Sequence, residues 1–535
     1  MGHRGSPSEV RDSLGASAPF LRSQKRRATL RVWCGVVFLF ILPSCAASDG
    51  PATPSSSLLT IGVPEPGASG PELGLGQLIS LLTLEGLTDA YTSVDGHAVP
   101  RLAESWQWES HGLRLRMHLR NGVHFHDGTP LTAEVAATAL QREVMRTANR
   151  ALHPSVEDIV SIRADGDREI IFELSRPSAF LPEELDIPIG IGPENVGTGA
   201  FRLVTNGSEG VKLQRFNDYY LGQAGIEQIV VRPSDTLRTS WSRLLRGEVD
   251  MVTDVPPDAV EFIRNDDIQV ISFPRSYQFL IAFNSQLQPF RSAAVRRALN
   301  TAVNREALIT KVLQGEGEPA TGPLWPKHWA YDASVQAFGF DQRGAVSLLE
   351  SAGFRMSRTE QDSRLSPARL RFTCILPANF LLLERLALEV QKQLYDIGVD
   401  IRFEVVPFRE YTSRIREGRF QAVMVDMTSG PTLARPHIFW GSARRDGLHA
   451  FGYDNIEAAH LFESLRMSTN EAATRSAVRR LQRVLLDEPP ALFLVWNERA
   501  RAVRREFRIP NSGRDPLFTI WQWTENTDRG SISNR

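Results

Sequence analysis

His124 and His126 flank Phe125, so on a strand both imidazoles would face one way and could offer two ligands to a metal. A metal site needs more donors than two, and no third ligand stands at a metal-binding spacing. The segment runs into an Asp127-Gly128 turn, so a strand edge is its expected role. His437 and His449 are equally unsupported as ligands. The chain carries no P-loop, no H-E-x-x-H, no paired C-x-x-C and no G-x-S-x-G elbow. Gly74 and Gly76 lack the third glycine of a dinucleotide fingerprint. These absences remove the readily recognised enzymatic classes, although a site can also be assembled from distant residues. The arginine pairs Arg296-Arg297, Arg444-Arg445 and Arg504-Arg505 sit among polar or acidic neighbours and are expected on solvated faces.

The 535 residues are 42% hydrophobic and 23% charged, a globular composition too long for one core. With 61 Lys+Arg against 62 Asp+Glu, the net charge of −1 carries no footprint for nucleic acid. Arg22, Lys25, Arg26, Arg27 and Arg31 precede a short apolar run, Val32 to Leu42. That run is short for a spanning helix of about 20 residues and has the layout of a secretory signal. It ends at Leu42-Pro43-Ser44-Cys45, which resembles the bacterial lipobox. Residues 1–44 then form a signal peptide, and 45–57 a lipidated Cys45 and a Pro/Ser-rich tether. Two alternatives stand: secretion with cleavage after Ala46 or Ala47, or an uncleaved anchor. Cys34 leaves with the signal and Cys374 is left alone, so no disulfide framework is expected despite the exported context.

Leu113, Leu115, Met117 and Leu119 alternate with polar residues, the period of a half-wet strand. Thr132 is placed to cap a following helix, and Ser292 another that runs through Val295, Leu299, Ala302 and Ile309 to Gly315. Leu382, Leu383, Leu386, Val390 and Leu394 recur at helical spacing up to Gly398, and an alternating strand follows from Val399 to Val405. Ala491 to Trp496 is continuously apolar, as in a strand buried on both faces. Helices and strands alternate throughout, so the expected class is α/β.

Leu84-Glu85-Gly86-Leu87 and Val99–Trp106 resemble the opening signature of family 5 extracytoplasmic solute-binding proteins, the peptide- and nickel-binding components of ABC importers. Leu119–Ala133 is similar to that family's most recognisable segment. Val196–Phe201, Phe216–Tyr220, Leu244–Asp250, Val295–Asn300 and Gly452–Asn455 follow in the family's order, so the resemblance covers about residues 58–505. It implies a type II periplasmic-binding-protein fold, two lobes around a cleft plus a third lobe. Lobe I would comprise 58–96, 196–278 and 492–535, lobe II 97–195, and lobe III 279–491. The implied function is capture of an oligopeptide or peptide-like solute for an inner-membrane ABC permease. No catalysis, cofactor or nucleic acid is implied, and the protein would be a lipid-anchored monomer of the cell envelope. A sensory binding protein of the same fold and a nickel or metallophore binder are the alternatives.

In this family a carboxylate typically holds the peptide's α-amino group, within an aromatic- and Asp-rich segment. Here that segment is Met424–Pro431, where the usual Trp and second Asp-Pro are missing. Asp426 is the candidate anchor; the other reading has it end a strand and cap the turn from Thr428 to Pro431. Arg435 could pair with a ligand carboxylate, and Trp440 could stack on a ligand or fill a core. Tyr277, Gln278 and Phe279 stand where the chain would cross between lobes, facing the cleft or packing the hinge. Trp106 and Trp108 share one strand face and are expected in a core.

Overall fold

A computed structural model describes residues 57–64, 74–146, 153–207, 210–335, 338–356, 367–441 and 451–526. Cys45, the signal segment and most of the tether lie outside the described residues, as do Arg444, Arg445 and His449. By composition the tether extends through Ser57. Ser57 instead belongs to the folded body: its Oγ donates to Gly225 O, and its carbonyl accepts from the Glu227 and Gln228 amides.

Fourteen strands matter for the site. They are β1 (Leu58–Pro64), β2 (Ala103–Glu109), β3 (Arg114–Leu119), β4 (Ile159–Asp165), β5 (Glu169–Leu174), β6 (Phe201–Gly207) and β7 (Gly210–Arg215). There follow β8 (Gln228–Ser234), β9 (Met251–Val255), β10 (Ile268–Phe283), β11 (Leu370–Pro377), β12 (Val399–Val406), β13 (Ala422–Thr428) and β14 (Ala491–Arg504). Ten of them form one sheet in the order β12-β11-β13-β10-β14-β9-β1-β8-β7-β6, with Glu318–Pro319 added against β14. β1 is parallel to both β8 and β9, and β11 is parallel to both β12 and β13. The two parallel groups are joined by the long antiparallel pair β10 and β14.

Where β10 runs through Gln278–Phe283 and β14 through Ala491–Trp496 the pair is buried on both faces, which explains the apolar run. Phe279, Ile281 and Phe283 pack into one core with Leu492 and Leu494; Leu280 and Ala282 pack into another with Ala491 and Phe493. Helices cover each face: Ala293–Thr301 and Leu381–Tyr395 on the first, Ile456–Met467 and Glu471–Asp487 on the second. The antiparallel sheet β2-β3-β5-β4 has its own core with the helix Ala133–Val144. Thr132 caps that helix, accepting from the Val135 amide. Leu115, Met117 and Leu119 point into this core while Arg114 and Arg116 pair across the other face with Glu173 and Asp165. Trp106 and Trp108 pack half-buried against it.

Two expectations fail for a shared physical reason. The helix that begins after Ser292 stops at Thr301, and a second one, Arg305–Val312, carries the chain to Gly315. Asn304 accepts from the Ala307 amide and so starts the second helix. The break lets the Arg305 side chain run inward, where its Nε donates to Ala320 O and Phe493 O. Arg296 is likewise buried rather than solvated: its Nε donates to Pro489 O at 2.7 Å and its Nη1 to Phe290 O at 2.6 Å. Both arginines are buried with their guanidinium groups satisfied by backbone carbonyls of other elements.

Candidate functional site

The ladder between β10 and β14 is interrupted midway. Pro274 pairs with Glu498 and Gln278 with Trp496, so Arg275, Ser276 and Tyr277 stand opposite the single residue Asn497. A bulge of this kind turns side chains out of the regular alternation. Here it sends Arg275 and Tyr277 into a cavity of about 600 Å³. Four further segments complete the walls: Gln77 to Val94, Trp325 to Lys327, Pro431, and Arg501 with the loop from Ser512 to Phe518. The floor is therefore strand, and the sides are helix ends and loops far apart in sequence.

The wall is rich in guanidinium. Arg275 lies over the Tyr277 ring, 3.4 Å from its centroid. Arg501 donates from Nε and Nη2 to the two carboxylate oxygens of Asp515, at 3.1 and 2.5 Å. Asp515 also accepts from the Leu517 amide, so its geometry is held from two sides. Lys327 reaches Glu318 at 3.1 Å.

Behind Arg275 lies a buried charge layer. Asp426 Oδ2 is 4.0 Å from Arg275 Nη1 and 3.6 Å from Arg499 Nη2, and Arg499 Nη1 is 3.4 Å from Asp254. Burial pushes the Asp426 carboxyl up, and the two arginines pull it back. Burial also draws Arg275 down to about 10. Two aspartates and two arginines alternate, so the layer is neutral as a unit.

The expected site residues separate into four groups. Tyr277 lines the cavity, and Thr428 is its ladder partner on β13. Asp426 sits in the charge layer and not among the lining residues. Nor does it cap the following turn: the Ser429 and Gly430 amides both donate to Ser276 O. Gln278 is fully buried and donates to Ser429 Oγ, which ties the bulge to that turn. Phe279 and Trp440 are core residues; Trp440 stacks on Phe451 at 5.4 Å and meets Phe493 edge-on. Their side chains are too deeply buried to touch a solute in this geometry.

Arg435 belongs to a neighbouring small cavity with His153, Glu183, Glu184 and Asp186. Its Nη2 donates to Tyr91 Oη at 3.3 Å, and Tyr91 borders both cavities. Burial pushes Glu184 up to about 7, against the pull of His153. His126 is a structural residue: its Nε2 is 2.8 Å from Gly199 O and its ring packs edge-on against Phe216. Among the described residues no cluster of three or more His, Cys, Asp or Glu could hold a metal ion. No described helix is long and apolar enough to cross a membrane.

Tyr91, Arg275, Trp325, Arg501 and Arg514 also line the cavity, although their residue types and spacing do not single them out. Only Arg275 had a local signal, its place two residues before Tyr277 at the expected crossing. The rest reach the cavity through tertiary packing alone.

The body is α/β, its large sheet packs helices on both faces, and a walled cavity opens at a strand bulge. The chain belongs to the bacterial extracellular solute-binding proteins, family 5, whose model matches residues 97–443. The oligopeptide-binding protein AppA of Bacillus subtilis is 23% identical over 541 residues, covering 93% of this chain and 99% of that protein. The dipeptide-binding protein of Escherichia coli is 23% identical over 459 residues, covering 77% of this chain and 83% of that protein. In fold, NikA of Brucella suis, solved with Fe(III)-EDTA, superposes with a TM-score of 0.76 at 20% identity over 88% of this chain and all of that one. AppA solved with a nonapeptide gives 0.70 at 20% identity, over 88% of this chain and 99% of that one.

Proposed function

We propose that this protein captures an oligopeptide or peptide-like solute in the cavity at the Arg275–Tyr277 bulge and presents it to an ABC-type permease. The observation that carries this reading is the cavity itself. Its volume of about 600 Å³ lies in the range of small-molecule sites, and its walls come from segments distant in sequence. A solute touching all of them gains contacts only when the walls are together, which couples binding to closure. Relatives named for oligopeptide and dipeptide binding support the solute class.

On this reading 58–96, 196–278 and 492–535 form lobe I, 97–195 lobe II and 279–491 lobe III. The separate core under β2–β5 and the two parallel strand groups of the large sheet support that division. The protein carries out no covalent chemistry and works as a monomer. It is exported and held at the membrane by a lipid on Cys45; the basic residues, short apolar run and Leu42-Pro43-Ser44-Cys45 support this.

Native mass spectrometry of the purified full chain tests the solute class. A ladder of co-purified masses matching short peptides is expected. A single discrete non-peptide mass would move the reading to a specialised solute. A protein that arrives empty and ignores peptide libraries would overturn it.

A further inference from the structure

We propose that Tyr91 sets the length of solute this protein accepts: its ring closes one end of the main cavity, and beyond it lies a side chamber suited to a neutral or basic group. This role rests on the cavity at the bulge being the solute site.

Among the described residues, Tyr91 alone lines all three cavities of this region. One is the main cavity, and one is the small cavity around Arg435. The third is a chamber of about 190 Å³. The chamber and the main cavity share Leu81, Tyr91 and Phe518, so these side chains form the boundary between the two spaces. Leu81 stands on the helix Leu75–Thr83, and Phe518 on the short helical segment Pro516–Gln522.

Tyr91 comes from a turn with an anchored base. Asp89 Oδ1 accepts from the Thr92 amide at 3.0 Å, and Ala90 O accepts from the Ser93 amide at 3.2 Å. Arg101 Nε donates to the other oxygen of Asp89 at 3.3 Å. Ala90 and Ser93 are buried, whereas Tyr91 keeps 37% of its surface, so its side chain stands in open space on a fixed support. Arg435 Nη2 donates to the Tyr91 hydroxyl at 3.3 Å and steadies the ring at its tip. A ring held at both ends discriminates by clash against a solute that runs past it.

The spaces on the two sides differ in charge. Arg275, Lys327, Arg501 and Arg514 line the main cavity, with Asp515 the one carboxylate among its described lining residues. Glu85, Asp89 and Asp186 line the chamber, with Arg101 its one guanidinium. Glu85 accepts from the hydroxyls of Thr198, Tyr219 and Tyr220. Even with His153 at 3.1 Å from Asp186, carboxylates outnumber the cationic groups there. A solute residue entering the chamber therefore fares better neutral or basic than acidic.

Calorimetry on the full chain in mild detergent tests this role. The probes are alanine-based peptides from dipeptide to octapeptide and ω-amino carboxylates of increasing chain length. Wild type should reach a length beyond which one more residue lowers affinity about tenfold. In Tyr91→Ala the same residue should cost less than about threefold, and Lys at that position should bind about fivefold tighter than Glu. Tyr91→Phe should keep the wild-type limit because the ring remains, and Tyr91→Trp should move the limit to a shorter peptide. Thermal unfolding is the control for folding; if Tyr91→Ala melts early, Tyr91→Phe and Tyr91→Trp carry the comparison. A limit at the same length in wild type, Tyr91→Ala and Tyr91→Trp, or no preference for Lys over Glu, overturns the role of Tyr91 and leaves the peptide reading standing. If no peptide binds but the ω-amino carboxylates show a limit that Tyr91→Ala relaxes, the peptide reading fails and the role of Tyr91 stands. A wild type that binds every length equally, or binds neither set of probes, overturns the role of Tyr91.

Discussion

Asp426 illustrates how a residue suited to one task by type is assigned another by its neighbours. Between Arg275 and Arg499 its charge keeps two buried guanidinium groups from facing each other unscreened. Asp426→Asn removes one partner of a buried network and is expected to cost about 3–5 kcal/mol in urea unfolding. It should leave the ratio of affinities for free and N-acetylated peptides unchanged; a selective loss for free peptides would make Asp426 the ammonium anchor after all. Glu184 sets a pH dependence of opposite sign to an ordinary acid. Its folded pKa of about 7 lies above the unfolded value, so the folded state holds a proton that the unfolded state releases. Its contribution is complete below about pH 4.5 and is lost as pH rises through 7. His153, which burial opposes but Asp186 raises, acts in the same direction. Glu184→Gln should flatten the fall in unfolding free energy from urea titrations between pH 5 and 8, by on the order of 2–3 kcal/mol relative to wild type. Parallel curves for the two proteins would contradict this assignment.

Helices and strands were legible wherever the burial pattern was regular. The alternation at 113–119 and the apolar run at 491–496 are direct records of one-sided and two-sided burial. After Ser292 the sequence reads as one helix because Leu299, Ala302 and Ile309 keep apolar company across the break. What divides it is a cap, Asn304, together with a buried arginine that needs carbonyls from other elements. Asn304→Ala should cost about 1 kcal/mol in urea unfolding, the usual worth of a side-chain N-cap. An unchanged midpoint would mean that the Gln393 contact to the Asn304 amide, at 2.6 Å, defines the second helix alone.

For the whole molecule, the central antiparallel pair joins two parallel strand groups into one sheet, and the bulge in that pair opens the cavity. A solute that binds only the folded state raises its stability in proportion to RT ln(1 + [L]/Kd), about 2.7 kcal/mol at a hundredfold excess over Kd. Trp325 is part of the wall, so binding should alter tryptophan emission, and Trp325→Phe should remove most of that change while the thermal stabilisation persists. Emission that changes equally in the variant would place the signal at another tryptophan and the solute away from this wall.

By itself the amino-acid sequence determined the α/β class, the family resemblance and the strands whose faces are buried. These are local properties: hydrophobic period, turn chemistry and short motifs are written in neighbouring residues. The cavity was decided only in three dimensions. Tyr277 was legible because it sits at a crossing, whereas Arg275 depends on a register shift against a strand more than two hundred residues later. Arg501 and Asp515 look like ordinary surface charges until packing buries them as a pair. Residue type and spacing along the chain do not encode which charges meet, because ion pairing and desolvation are set by the partners that folding brings within a few ångströms.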